Sequence, residues 1–212
     1  MTAVIVKRRI GRLQMPSDAR QKMIESAAVL LATRGLQATA FSDVLARSGA
    51  PRGSIYHHFP EGKDQLVEAA MELAGARALG VLDSVRGSPP KEVTRFFLDL
   101  WRAVLVRSDL RAGCAVLAVT VATDSPDLLG QAATIFRAWR GRLAELYEAG
   151  GMDADAGARL ATTLVAASEG AVVVSRAEQS LAPFDQVAEQ LLALSPAGKK
   201  RRRAAAGAST RT

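Results

Sequence analysis

Apolar residues recur every three or four positions along most of this chain, and no run alternates apolar with polar residues long enough to make a strand. The pattern predicts an all-α protein of about nine helices. The first runs from Ser17 or Asp18, either of which can cap it, to Thr33, where Arg34-Gly35 closes it. Its inner stripe is Met23, Ala27, Leu30 and Leu31. Two short helices follow, the second helix of the chain expected to be capped by Thr39 and the third opened by Pro51. The fourth is expected from Gly62 or Lys63 to about Arg86, with Leu66, Ala70, Leu73, Leu79 and Leu82 at helical spacing, and Gly87-Ser88-Pro89-Pro90 stops it. A fifth covers 91–107, and a sixth runs from near Leu110 to about Thr123. Asp124-Ser125-Pro126 opens a seventh that ends at Gly150-Gly151, the eighth covers 154–179, and the ninth covers 183–194.

The segment 41–64, FSDVLARSGAPRGSIYHHFPEGKD, carries the most chemistry. Val44 and Leu45 form the inner edge of its first helix, and Ser48-Gly49-Ala50 makes a turn that needs a residue free to take positive φ. Arg52, Ser54, Tyr56, His57 and His58 then crowd polar, planar and cationic groups onto one short helix, with Ile55 and Phe59 as its apolar anchors. Such a helix is built to touch something polar. In a helix-turn-helix the second helix lies in the major groove and presents its first residues to base edges.

The run Thr39-Ala40-Phe41-Ser42-Asp43-Val44, then Gly49, then Gly53-Ser54-Ile55-Tyr56-His57-His58-Phe59, resembles the N-terminal signature of the tetracycline-repressor-like (TetR) family of bacterial regulators. The continuation Pro60-Glu61-Gly62-Lys63-Asp64-Gln65-Leu66 is one residue longer than the commoner form and looks like the branch that contains the lincomycin-resistance repressor. The resemblance covers roughly the first third of the chain. It implies a three-helix DNA-binding head at 17–62 and a ligand-binding and dimerisation body at 63–195, flanked by a basic flexible arm at 1–16 and a disordered basic tail at 196–212.

Position by position, Arg52 can reach guanine O6 and N7 with two bonds or grip a phosphate. Gly53 and Ser54 keep that face low against the bases, unless Gly53 only relieves crowding in the turn. Tyr56 resembles the family residue that meets the backbone or a thymine methyl, and His58 the one that hydrogen-bonds phosphate; each could instead pack on the first helix. His57 shares that surface. Thr39 and Ser42 can donate to phosphate at a helix N-terminus, and Lys63 stands at the start of the fourth helix, where a cation and free N–H groups suit a phosphate. Ser42 stands where relatives commonly carry arginine. Adjacent histidines point about 100° apart on a helix and lack a third ligand at zinc spacing, so His57-His58 is no metal site, and no cofactor is expected.

Charge sharpens the picture. The formal net charge of +7 divides into about +5 over 1–65, about −4 over 66–195 and about +6 beyond. Basic ends around an acidic body fit a polyanion held at one end. The basic residues Lys7, Arg8, Arg9 and Arg12 precede no apolar segment, so they are not a secretory signal. Met15 leaves the first residues as either an extension before a second start or an arm for the minor groove. The longest uncharged stretch, 112–123, is far short of the ~20 apolar residues that span a bilayer, and the lone Cys114 suits a reducing cytoplasm.

For the body, the resemblance implies that the eighth and ninth helices pair with their copies in a second subunit through Leu160, Leu164, Ala167, Ala171, Val174, Phe184, Val187 and Leu191. Without a partner these residues would cover the chain's own core. The resemblance also implies a chamber for a largely apolar small-molecule effector near Phe97, Trp101, Cys114, Leu117, Phe136 and Trp139; large aromatics at helical spacing otherwise serve as core packing. The competing readings are a DNA-binding interaction protein of the same fold and an enzyme. Neither a G-x-S-x-G elbow, a phosphate loop, a dinucleotide fingerprint nor a metal-spaced His/Cys cluster is present, so catalysis is not expected.

Overall fold

The computed structural model describes residues 18–197. The expected arm at 1–16, the candidate cap Ser17 and the cluster 199–203 lie outside the described residues. Among the described residues there are nine α-helices and no strand: α1 (Asp18–Arg34), α2 (Phe41–Ser48), α3 (Ser54–His58), α4 (Lys63–Leu82), α5 (Pro90–Arg107), α6 (Ala115–Thr120), α7 (Pro126–Ala149), α8 (Ala154–Glu178) and α9 (Ala182–Leu194).

Start signals fall where local chemistry puts them. Ser125 accepts from the Leu128 N–H to open α7 with Pro126 behind it, and Asp153 accepts from the Ala156 N–H to open α8. Three boundaries differ from expectation. α4 ends at Leu82 and tightens into a 3-10 turn, Asp83–Val85, where Asp83 pairs with both Arg86 and Arg142. α6 starts at Ala115 rather than near Leu110, because Asp109 and Leu110 both take left-handed φ (53° and 57°) and the chain then runs extended to Cys114, the cap of α6. α3 starts at Ser54, since Pro51, Arg52 and Gly53 form the turn itself, with the Ser54 N–H on the Pro51 carbonyl at 3.0 Å.

Two apolar clusters hold the fold together. One joins Met23, Leu31, Val44, Ile55, Phe59 and Met71 of the first four helices to Cys114, Val116, Val119, Leu128 and Trp139 of α6 and α7. The other gathers Leu82, Phe97, Leu143, Tyr147, Leu164, Val172, Phe184 and Leu191. Trp101 and Phe136 pack against both. α4 and α7 approach closely at Gly75, whose carbonyl accepts from the Trp139 indole Nε1 at 3.2 Å and where an added Cβ would stand 2.9 Å from Ile135. α8 is long and apolar enough to meet the length and composition of a membrane span, with a mean hydropathy of 1.2, but its inner half is buried by packing on α5, α7 and α9.

A directed chain of hydroxyls locks the far end of the body. The Ser195 Oγ donates to the Leu191 carbonyl at 2.8 Å, so its remaining capacity is as acceptor from Thr94 Oγ1 at 2.7 Å. Thr94 then accepts from the Tyr147 hydroxyl, also at 2.7 Å. Burial, partly offset by the Thr94 contact, pushes the Tyr147 phenol up to about 12, so it remains a donor at any ordinary pH. Thr94→Val breaks both links and leaves the buried Tyr147 hydroxyl without a partner, costing about 2–3 kcal/mol, whereas Tyr147→Phe removes only the terminal donor and costs about 1 kcal/mol. Thermal melts of the two variants should therefore differ, Thr94→Val falling further; equal losses would refute the direction of the chain.

Candidate nucleic-acid interface and body core

The reading helix is a five-residue turn of helix, too short to persist unaided. Ile55 and Phe59, both fully buried, fix it to α1, and Arg20 lies over the Phe59 ring at 5.3 Å. With those two side chains inward, the opposite surface is left to Tyr56, 68% exposed, and to His57, Arg52 and Gly53, all exposed. Tyr56 stands edge-on to Phe41 of α2 at 5.7 Å, which orients the phenol without covering it. His57 and His58 stack edge-on at 5.2 Å.

The turn before α3 depends on Gly49, which takes φ 69° and returns its N–H to the Leu45 carbonyl. A second demand for glycine falls at Gly62, whose φ of 94° with ψ of −156° is closed to other residues. That conformation absorbs the additional residue of the Pro60–Lys63 stretch and delivers Lys63 to the first position of α4. The Lys63 Nζ donates to the Leu36 carbonyl at 2.8 Å, so the cation also ties α4 to the α1–α2 loop while the residue stays partly exposed.

One expected contact changes meaning. Thr39 is 2% exposed and donates to the Gly35 carbonyl at 2.8 Å, while the cap of α2 is Ala40, with no side-chain cap. Its hydroxyl closes the α1–α2 turn and does not face outward toward a phosphate. The Ser54 hydroxyl donates to the Pro51 carbonyl at 2.6 Å and retains only acceptor capacity. Ser42 is exposed as expected. Tyr56, His57, Arg52, Gly53 and Ser42 are thus exposed, Lys63 is partly so, and Thr39 is buried.

The body core also corrects the sequence reading. Five residues expected at a subunit interface, Leu160, Leu164, Ala171, Phe184 and Leu191, are buried inside the chain's own core; Ala167 and Val187 are half-buried, and Val174 is exposed. The helical stripe chosen was the apolar one, and the chain's own α5, α7 and α9 already cover it. The open face of α8 instead carries Thr162, Ala166, Gly170, Val173 and Ala177. Of the expected effector residues, Phe97 and Trp139 are buried packing, Trp101 and Phe136 bridge the two clusters, and Cys114 and Leu117 line a cleft of about 340 Å³ between the α1–α2 loop, α6 and α8.

At the joint of the first helices with the body, the C-terminal carbonyls of α1 are taken by other elements. The Gly113 N–H donates to Ala32 at 2.8 Å, and Arg176 of α8 reaches Thr33 at 3.4 Å. Gly113 leaves room for that arginine, whose Nη1 would stand 2.9 Å from a Cβ there. Arg176 also joins Arg34, Arg107 and Arg111 around a cleft of about 740 Å³, which makes this end of an otherwise acidic body cationic.

One buried residue was missed by the sequence reading. Glu169, 6% exposed on α8, has no hydrogen-bond partner on either carboxylate oxygen. Burial pushes its carboxyl up to about 7, and the Cys114 thiol of α6, the titratable group beside it, lowers it only in part; burial likewise pushes the thiol well up. The signal was legible: Glu169 is the lone charge between Arg159 and Arg176.

An all-helical body behind an exposed, aromatic and cationic helix-turn-helix defines a DNA-binding regulator. Residues 23–70 match the family model for bacterial regulatory proteins of the tetR family, and residues 90–190 match the C-terminal domain of LmrA/YxaF-like transcriptional regulators. An uncharacterized HTH-type transcriptional regulator of Mycobacterium tuberculosis, Rv0196, is 38% identical over 81% of this chain and 91% of its own length. The HTH-type transcriptional regulator LmrA of Bacillus subtilis is 25% identical over 79% and 91%. The fold is similar to a TetR regulatory protein of Rhodobacter sphaeroides, with a TM-score of 0.76 and 21% identity over 85% of this chain and all of that one. The chain belongs to the tetR family of bacterial transcriptional regulators, in its LmrA/YxaF-like branch, and its relatives are regulators rather than enzymes.

Two measurements check this geometry. Thr39→Val should lower the melting temperature by roughly 2–4 °C, the effect of about 1 kcal/mol in a chain of this size, and leave the salt slope of DNA binding unchanged, where loss of a phosphate contact would reduce it. Glu169 has its folded pKa raised from 4.5 to about 7, so its protonated form favours folding. That stability is complete below about 4.5 and is lost as pH rises through about 7, amounting to at most about 3 kcal/mol. Melting curves of the parent and Glu169→Gln should diverge over that window, the variant being the more stable above it.

Proposed function

We propose that this protein is a ligand-responsive transcriptional repressor that binds a pseudo-palindromic operator in the cytoplasm as a homodimer and is released by a small, largely apolar effector. The observation that carries the reading is the outward face of α3, where Tyr56, His57 and the adjoining Arg52 are exposed above two fully buried anchors. Arg52 takes base edges or phosphate, Tyr56 and His57 with His58 the backbone and groove wall, and Ser42 and Lys63 phosphates on either side. Residues 17–62 serve as the reading head and 63–195 as effector and dimerisation body.

One head spans too few base pairs for selectivity, and half-site spacing calls for two. The small, open face of α8 around Ala166, Gly170 and Val173, with Leu194 of α9 at 63% exposure, supports a helix-to-helix contact with a second copy. Response to effector follows from linkage: an effector that prefers the conformation with heads misplaced weakens DNA binding by the same factor that DNA weakens effector binding. A relative over about two-fifths of this chain, KstR2 of Mycolicibacterium smegmatis, is named a repressor, which supports the sign of regulation.

Arg52→Ala and Tyr56→Ala should each weaken binding to DNA from upstream of the gene by about ten-fold or more, the scale of one lost base or phosphate contact of 1–3 kcal/mol, while light scattering still reports the dimer. Unchanged gel-shift affinity in both variants would exclude α3 as the reading element.

A further inference from the structure

Glu169 stands where the two apolar clusters meet. Val165 and Val172, one turn to either side of it along α8, belong to one cluster, and Cys114, which faces it from α6, belongs to the other. Trp101 and Phe136 also pack against both clusters. An ionised carboxylate with neither oxygen partnered is among the costlier groups to bury, and native interiors rarely leave one so. Its immediate neighbour is a thiol, a weak donor that burial keeps protonated, and no lysine or arginine acts on it.

Building on the effector reading above, we infer that the effector is an amphiphilic cation: an apolar, aromatic-sized body that enters the seam between the clusters, carrying a protonated amine or amidine that binds Glu169. The donor count selects the class. A single proton on the carboxyl satisfies one oxygen, and a neutral hydroxyl satisfies one; a primary or secondary ammonium, or an amidinium, brings two N–H groups and a full compensating charge. Cys114 supplies no competing charge and leaves the carboxylate as the recognition group.

The test uses the full-length protein and two probes of one shape, naphthylmethylamine and naphthylmethanol, titrated calorimetrically near pH 8, where the amine and Glu169 are both ionised. The parent should bind the amine about ten-fold or more tighter than the alcohol, the scale of one charge-assisted hydrogen bond. Glu169→Gln should lose that preference and retain the alcohol; a melt no lower than the parent's shows that the variant is folded. Equal binding of amine and alcohol by the parent, or a preference that survives Glu169→Gln, overturns the cationic assignment while leaving the effector reading in place. Binding of neither probe overturns both.

Discussion

A helix of five residues has no stability of its own, and the surface that meets the outside world here is such a helix. Its existence rests on Ile55 and Phe59 being driven into the cluster formed by α1 and α4. Everything exposed on α3 follows from that inward commitment, because two anchors four residues apart fix the helix about its axis and leave a single face open. The glycines at 49 and 62 then set where α3 begins and where the chain leaves it. Recognition is therefore a by-product of packing: the same burial that holds the element in place decides which side chains are presented.

Much of this was legible in the order of residues. The nine helices, the positive-φ glycine of the turn and the outward placement of Tyr56, Arg52 and His57 follow from apolar spacing and from the scarcity of anchors on α3. What was misread shares one cause. Thr39 looks like a donor awaiting a partner, but the nearby carbonyl of Gly35 reaches it first, and such local competition shows only in three dimensions. On α8 the apolar stripe was assigned to a partner when the chain's own α5, α7 and α9 needed it. Hydrophobicity announces that a face is covered and does not say by what.

Glu169 shows the complementary failure. Attention to clusters and motifs passes over a single acid in an apolar helix, although its isolation is what makes it informative. Two apolar clusters, joined through Trp101 and Phe136, border a buried acid without a hydrogen-bond partner, which raises the free energy of the fold. A body that tolerates that cost retains a position where something else can lower it.

The joint between α1 and the body has a further implication. Ala32 and Thr33 hold to α6 and α8 through main-chain carbonyls, atoms that every amino acid supplies alike. The join between α1 and the body is thus indifferent to which side chains occupy the end of α1. Substitution at those two sites leaves the carbonyls in place, whereas a methyl group at Gly113 would press on the end of the Arg176 side chain and require it to shift.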